Sequence, residues 1–181
     1  KRSDIAILDS GFFCILLRLF KFKSVEKLSG YKFLKIFLDE YVNKDKILFI
    51  DPSIKANRIN TKFLKLKKIF NYKSYIAPNY KKNFIDLKLI KFIKKHSPRY
   101  VVINIGGGSQ EPLAIYIRKN LNYKISIMCT GAAIAFMTGE QAPINKLIDK
   151  IYLGWLTRIL WNPKVYLGRT LKSLKIIKYF Y

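Results

Sequence analysis

The sequence predicts an α/β protein, a Rossmann-like, mostly parallel sheet with helices on both faces. Three observations predict it. Apolar β-type runs alternate with amphipathic helical stretches along the chain. The runs Tyr100–Ile105 and Ile125–Cys129 are apolar enough to be strands buried on both faces. Each ends in small residues, Gly106-Gly107-Gly108 and Thr130-Gly131-Ala132-Ala133. A buried strand that turns through glycine into a helix is how open α/β sheets build ligand crevices.

Taken in order, Ile5–Leu8 predicts a short strand that ends at Asp9-Ser10-Gly11. An acid there faces a ligand crevice or, more simply, caps the next helix. Phe12–Phe20 predicts a buried helix and Ser24–Gly30 a polar connector. Tyr31–Val42 places Phe33, Leu34, Phe37, Leu38 and Tyr41 at helical spacing. Lys46–Ile50 predicts a strand stopped by Asp51-Pro52-Ser53, and Ile54–Phe70 a lysine-rich amphipathic helix. Tyr72–Ala77 predicts a third strand. Asn83–His96 predicts a helix with Phe84, Leu87, Ile90 and Ile93 inward, broken by Ser97-Pro98. After the two glycine-ended strands and a polar turn at Met137–Pro143, Ile144–Leu160 and Lys164–Lys178 predict helices separated by Trp161-Asn162-Pro163. One domain is the economical reading: an α/β core over 1–150 and a C-terminal helical appendage over 151–181.

The chain has 181 residues, with 35 Lys+Arg against 11 Asp+Glu, a formal charge of +24. That excess suits an anionic partner. Lysine, isoleucine and asparagine are all abundant, as a coding sequence rich in A and T would equally produce. From Ile151 to Tyr181 there is no acid, and cations interleave with Tyr152, Trp155, Trp161, Tyr166 and Tyr179. This pattern fits an anionic membrane surface or a phosphate-binding appendage, and equally a helix packing its aromatics on the domain. Cys14 and Cys129 lie in apolar runs without a Cys or His neighbour, so we expect free buried thiols and no zinc site. The single histidine, His96, sits in the basic stretch KFIKKHSPR, where a solvated ring is expected. No apolar run reaches the roughly 18 residues of a membrane span.

The glycine turn Gly106-Gly107-Gly108 is neither a P-loop nor a full dinucleotide fingerprint, though N–H groups at the following helix start would hold a diphosphate. An ordered series of short motifs around it is more specific. Gly107-Gly108-Ser109-Gln110-Glu111 comes after the strand, then Gly131-Ala132-Ala133, then Gln141-Ala142-Pro143, then Tyr152-Leu153-Gly154-Trp155-Leu156-Thr157-Arg158-Ile159, then Pro163 and Arg169. Upstream stand Leu8-Asp9-Ser10-Gly11-Phe12 and Glu26-Lys27-Leu28-Ser29-Gly30. This ordered set resembles the WecG/TagA/CpsF family of bacterial glycosyltransferases from Asp9 to Arg169. Ser10, Lys27, Ser109, Gln141 and Gly154 depart from the family pattern, whose upstream strand with a Thr-x-Asn segment would precede Lys1.

The resemblance implies an inverting transfer of an N-acetylmannosamine-type sugar from a UDP donor to a polyprenyl-diphosphate-linked sugar, for cell-surface polysaccharide. It implies Asp9 as the base. Lys27, Gly107, Gly108, Gln110, Glu111, Gly131, Ala132, Arg158 and Arg169 are the substrate-binding candidates. It implies no metal and no cofactor, no nucleic-acid partner, an anionic membrane surface as partner and a cytoplasmic, peripheral location on the inner face of the cell membrane. Self-association stays open. The alternatives are a relative that binds a nucleotide-sugar without transferring it, and a basic nucleic-acid-binding module. The second lacks a helix-turn-helix, zinc-finger or RNP-like motif.

Overall fold

A computed structural model describes residues 3–20, 25–41, 43–80, 84–141 and 146–179. Ser24, Val42, Asn83, Ala142-Pro143, Ile144, Phe180 and Tyr181 lie outside them, as does the side chain of Arg169. In chain order the elements are α1 (Gly11–Leu19), α2 (Gly30–Tyr41), β1 (Ile47–Asp51), α3 (Ile54–Leu66), β2 (Tyr72–Ile76), α4 (Leu87–His96) and β3 (Tyr100–Ile103). They continue with α5 (Gln110–Lys119), β4 (Ser126–Cys129), α6 (Ala133–Met137), α7 (Lys146–Lys150), α8 (Gly154–Trp161), α9 (Pro163–Ser173) and a 3-10 turn over Leu174–Tyr179. The chain divides into a sheet unit, Gly30–Gln141, and a helical unit formed by Ser3–Ser29 with Ala142–Tyr181.

In the sheet unit the strands run in the order β2-β1-β3-β4, and every pairing is parallel. The expected α/β sheet is therefore present, with helices on both faces. Alternation along the strands divides the core. Leu48, Ile50, Val101 and Ile103 turn to one face, against Leu89, Ile90 and Ile93 of α4 and Leu113 and Ile117 of α5. Ile47, Phe49 and Val102 turn to the other, against Leu34, Phe37 and Leu38 of α2, Leu64 of α3 and Ile134 of α6. β1 is buried along its whole length because it is central and covered on both faces, which is why its sequence reads as a continuous apolar run.

Connections leave β1 and β3 in opposite directions. β1 leads through α3 to β2, and β3 leads through α5 to β4. The carboxyl ends of β1 and β3 therefore flank the point where strand order reverses, the position at which such sheets bind ligands.

Several expected boundaries move, each for a physical reason. α3 stops at Leu66, four residues before Phe70, because Lys68 turns left-handed at φ 57°. The N–H of Ile69 then donates to the Leu64 carbonyl (2.9 Å) and that of Lys68 to Lys65 (2.9 Å). This is a Schellman closure, and it buries Ile69 beside Leu64. α4 starts at Leu87, capped by the Asp86 carboxylate, which accepts from the Leu89 N–H at 2.8 Å. Its buried face is Leu89, Ile90 and Ile93; Leu87, expected inward, is 65% exposed. The helix phase is set by Asp86, whose carboxylate also accepts from the Tyr75 and Tyr80 hydroxyls. Burial and that carboxylate push the Tyr75 phenol up to about 12 and the Tyr80 phenol higher still. His96 is partly exposed, its ring centroid 4.4 Å from that of Phe92. Burial lowers its pKa, helped by Lys73, Lys95 and Lys46.

In the helical unit, Ile5–Leu8 is not a strand, and Ile5 is 84% exposed. It pairs with no strand among the described residues; the Leu28 N–H donates to the Leu8 carbonyl at 3.1 Å. The helix expected from Ile144 to Leu160 is two helices, α7 and α8. Tyr152 takes φ 65° between them, and the Leu153 N–H donates to the Ile148 carbonyl at 3.0 Å, ending α7. Asn162 caps α9, with Pro163 at its first position. Among the described residues no helix is long and apolar enough to cross a membrane.

Leu64 and Ile103 are fully enclosed on opposite faces of the sheet. Leu64→Ala and Ile103→Ala should each lower unfolding free energy by about 2–5 kcal/mol, read as a shifted urea midpoint at constant slope.

Candidate functional site

At the carboxyl end of β3 the chain turns through Gly106-Gly107-Gly108 and starts α5 at Gln110. The N–H groups of Ser109 and Gln110 close on the Gly106 carbonyl at 3.2 and 3.3 Å. Only Gly108 needs to be glycine for its backbone, at φ 85°. No atom lies within 4 Å of where a Cβ would stand on Gly106, Gly107 or Gly108, so there is room above the turn.

The side chains after the turn finish it. One Glu111 oxygen accepts from the Gly108 N–H (3.0 Å) and the other from Gln110 Nε2 (2.9 Å). The amide oxygen of Gln110 accepts from the Gly131 N–H at 2.8 Å. Gln110 thus staples the loop after β3 to the loop after β4, and Glu111 places its own anion where the helix start favours one. Gly131 is left-handed at φ 56°, which explains a glycine there. Ala132 is exposed at the start of α6 and contributes no side-chain cap. Cys129, expected buried, is exposed as a residue, but its sulfur turns toward the Gln110 carbonyl at 3.7 Å. Burial of the thiol, with Glu111 nearby, pushes it up to about 11. Cys14 is buried, as expected.

Beneath these loops lies a cluster that the sequence reading missed. Asp51, fully buried at the end of β1, accepts three amide bonds of 2.8 Å: from Asn60 and Asn104 on Oδ1, and from Asn57 on Oδ2. The Thr130 hydroxyl lies 3.3 Å from both the Asn104 amide oxygen and the Ile103 carbonyl. The ends of β1, β3 and β4 are tied together at the switch point. Asn60 keeps a buried Oδ1 without a partner among the described residues. A signal was available: Asn57 and Asn60 stand one turn apart on the face of α3 that should be apolar.

In the helical unit, Asp9 is exposed and does not cap α1. Ser10 does, accepting from the Phe13 N–H at 3.2 Å. Arg18 donates to the Tyr152 hydroxyl (2.7 Å) and the Val25 carbonyl (3.1 Å), with its guanidinium 4.3 Å from the Tyr152 ring centroid. The Lys27 ammonium is 6.0 Å from that ring. Burial raises the Cys14 thiol, while the charges of Lys27, Arg18 and Asp9 also act on it, so these groups share one neighbourhood. A Cβ on Gly11 would fall 2.4 Å from the Tyr152 carbonyl oxygen, so Gly11 is required by close approach. Arg158 is half-buried in the last turn of α8. Arg18 and Tyr152 were not singled out from the sequence as site residues.

A parallel sheet with a glycine turn at its carboxyl edge, stapled to the neighbouring strand's loop, defines a Rossmann-like ligand-binding α/β protein. The chain belongs to the glycosyl transferase WecG/TagA/CpsF family, whose model matches residues 1–181. It is a glycosyltransferase of that family, as the ordered motifs suggested. No curated protein matches the chain.

Replacing Asp51 strands buried amides, so Asp51→Ala should lower unfolding free energy by about 3 kcal/mol. Asp51→Asn should also destabilise, because it turns a donor toward donors. An unchanged urea midpoint in both variants would show that the cluster carries no stability.

Proposed function

We propose that this chain moves an N-acetylmannosamine-type sugar from UDP to a polyprenyl-diphosphate-linked sugar, with inversion, in cell-surface polysaccharide synthesis. The observation that carries the reading is the family match along the entire chain. The acceptor hydroxyl oxygen bonds to the anomeric carbon as the bond from that carbon to the diphosphate oxygen breaks. UDP leaves with the electron pair, and the hydroxyl proton passes to a carboxylate. Asp9 is that carboxylate: it is exposed and stands just before the cap of α1.

Charge develops on the departing diphosphate and needs cations or N–H groups. Lys27, Arg158 and Arg169 fill that role in this reading. Gly107, Gly108, Gln110, Glu111, Gly131 and Ala132 shape the nucleotide-sugar site. Within that set, the Gln110 staple fixes the loops and Glu111 responds to the anion. The C-terminal helices meet the inner face of the cell membrane. Leu160, Trp161 and Leu171 support this, being 76%, 62% and 57% exposed on a segment without acidic residues.

The alternative is that the chain binds a nucleotide-sugar without transferring it. The two readings separate in one assay, UDP release from UDP-N-acetylmannosamine with a polyprenyl-diphosphate-linked sugar acceptor. Asp9→Asn should slow release by about 10²–10⁴-fold with an unchanged melting temperature. Full turnover in that variant would remove Asp9 as the base. UDP binding without release by the unmodified chain would favour the second reading. Gln110→Ala should lower kcat/KM about tenfold by freeing the Gly131 loop.

A further inference from the structure

We propose that the carboxyl edge of the sheet beside β2 is a docking surface for an anionic lipid membrane, separate from the C-terminal helices. Four large apolar side chains stand exposed along that edge: Ile54 (59%), Ile76 (42%), Ile85 (66%) and Leu87 (65%). The fold sets them along the carboxyl ends of β1 and β2, Ile54 at the start of α3 on one face of the sheet and Ile85 and Leu87 at the start of α4 on the other. The register Asp51↔Ile76 aligns the ends of β1 and β2, and Ile54 opens α3 three residues after Asp51. Asp86, between Ile85 and Leu87, is tied to β2 through the Tyr75 hydroxyl at 3.0 Å. The start of α4 is thereby held at the end of β2. Scattered apolar residues need no explanation, but four set along one edge of a sheet do.

That edge is bordered by cations. Lys55 and Arg58 lie on the first turns of α3, Lys88 and Lys91 on those of α4, and all four are exposed. Between Asp51 and Asp86 the sequence contains no acidic residue, and both of those acids are buried. A polyanion such as duplex DNA would use the cations alone and leave the isoleucines in water. A bilayer surface uses both, taking apolar side chains into the headgroup region while its anionic lipids meet the lysines. The combination favours the membrane. The inference does not depend on the sugar-transfer reading.

The test is co-sedimentation of the full chain with vesicles of phosphatidylcholine alone, or mixed with phosphatidylglycerol. The unmodified chain should bind the mixed vesicles and not the neutral ones. Lys88→Glu with Lys91→Glu should weaken that binding about tenfold, and Ile85→Ser with Leu87→Ser about fivefold. These side chains are exposed, so melting temperatures should hold. Two results would overturn the proposal. The first is mixed-vesicle binding unchanged by the serine pair, which would leave the C-terminal helices sufficient. The second is a charge-reversed pair that loses duplex DNA binding but keeps vesicle binding, which would make the edge a nucleic-acid surface. Because no sugar donor or acceptor is present, failure here leaves the transfer assay untouched.

Discussion

A carboxylate cut off from water must be satisfied by hydrogen bonds, and Asp51 takes three from asparagine amides. Its position makes this more than local. It ends the central strand, where the connections diverge, and its partners come from α3 and from the residue after β3. Asn104 hands the network to Thr130 at the end of β4. Three strand ends are therefore locked before any loop is built on them. The Gln110 bond to Gly131 rests on that base, joining loops whose starting points are already fixed. Rigid strand ends under stapled loops are what a site needs if its groups must be held to fractions of an ångström.

The sheet unit was legible because its signals are local. A central strand must be apolar throughout, and β1 is; Asp51-Pro52-Ser53 and Ser97-Pro98 announced their turns. What escaped depends on residues distant in sequence. Leu87 and Leu89 both suit a buried helix position, and the choice between them was made by Tyr75 and Tyr80 holding Asp86. Ile5–Leu8 has strand composition but pairs with no strand among the described residues, which no local pattern reveals. The break at Tyr152 carries neither glycine nor proline of its own. The glycine turn after β3 was visible, but its closure by Glu111 and Gln110 was not, because Gly131 lies 21 residues beyond Gln110. Family membership came from the order of motifs rather than from any one of them.

Tyr152 shows how the helical unit is made specific. A bulky residue in the left-handed region costs of order 1 kcal/mol, and here it places a ring under the Arg18 guanidinium. The same turn brings its carbonyl against Gly11, so helix α1 can approach only without a side chain. Trp155, one turn further on, meets Phe12 edge-on at 5.6 Å. Strain, close approach and aromatic contact fix the packing of α1 on α8.

The two edges of the sheet have a colloidal consequence. β2 and β4, strands of five and four residues, stand at the two ends of the sheet formed by the described residues. Such edges invite sheet growth between molecules. Lys73 interrupts β2, but β4 carries only Ser126 and Cys129 as its exposed residues. The charge of the chain as a whole, +24, opposes such joining. That repulsion acts over a screening length of about 8 Å at physiological ionic strength. The lysine excess thus has a part outside the fold, as a repulsion between molecules that concentrated salt weakens.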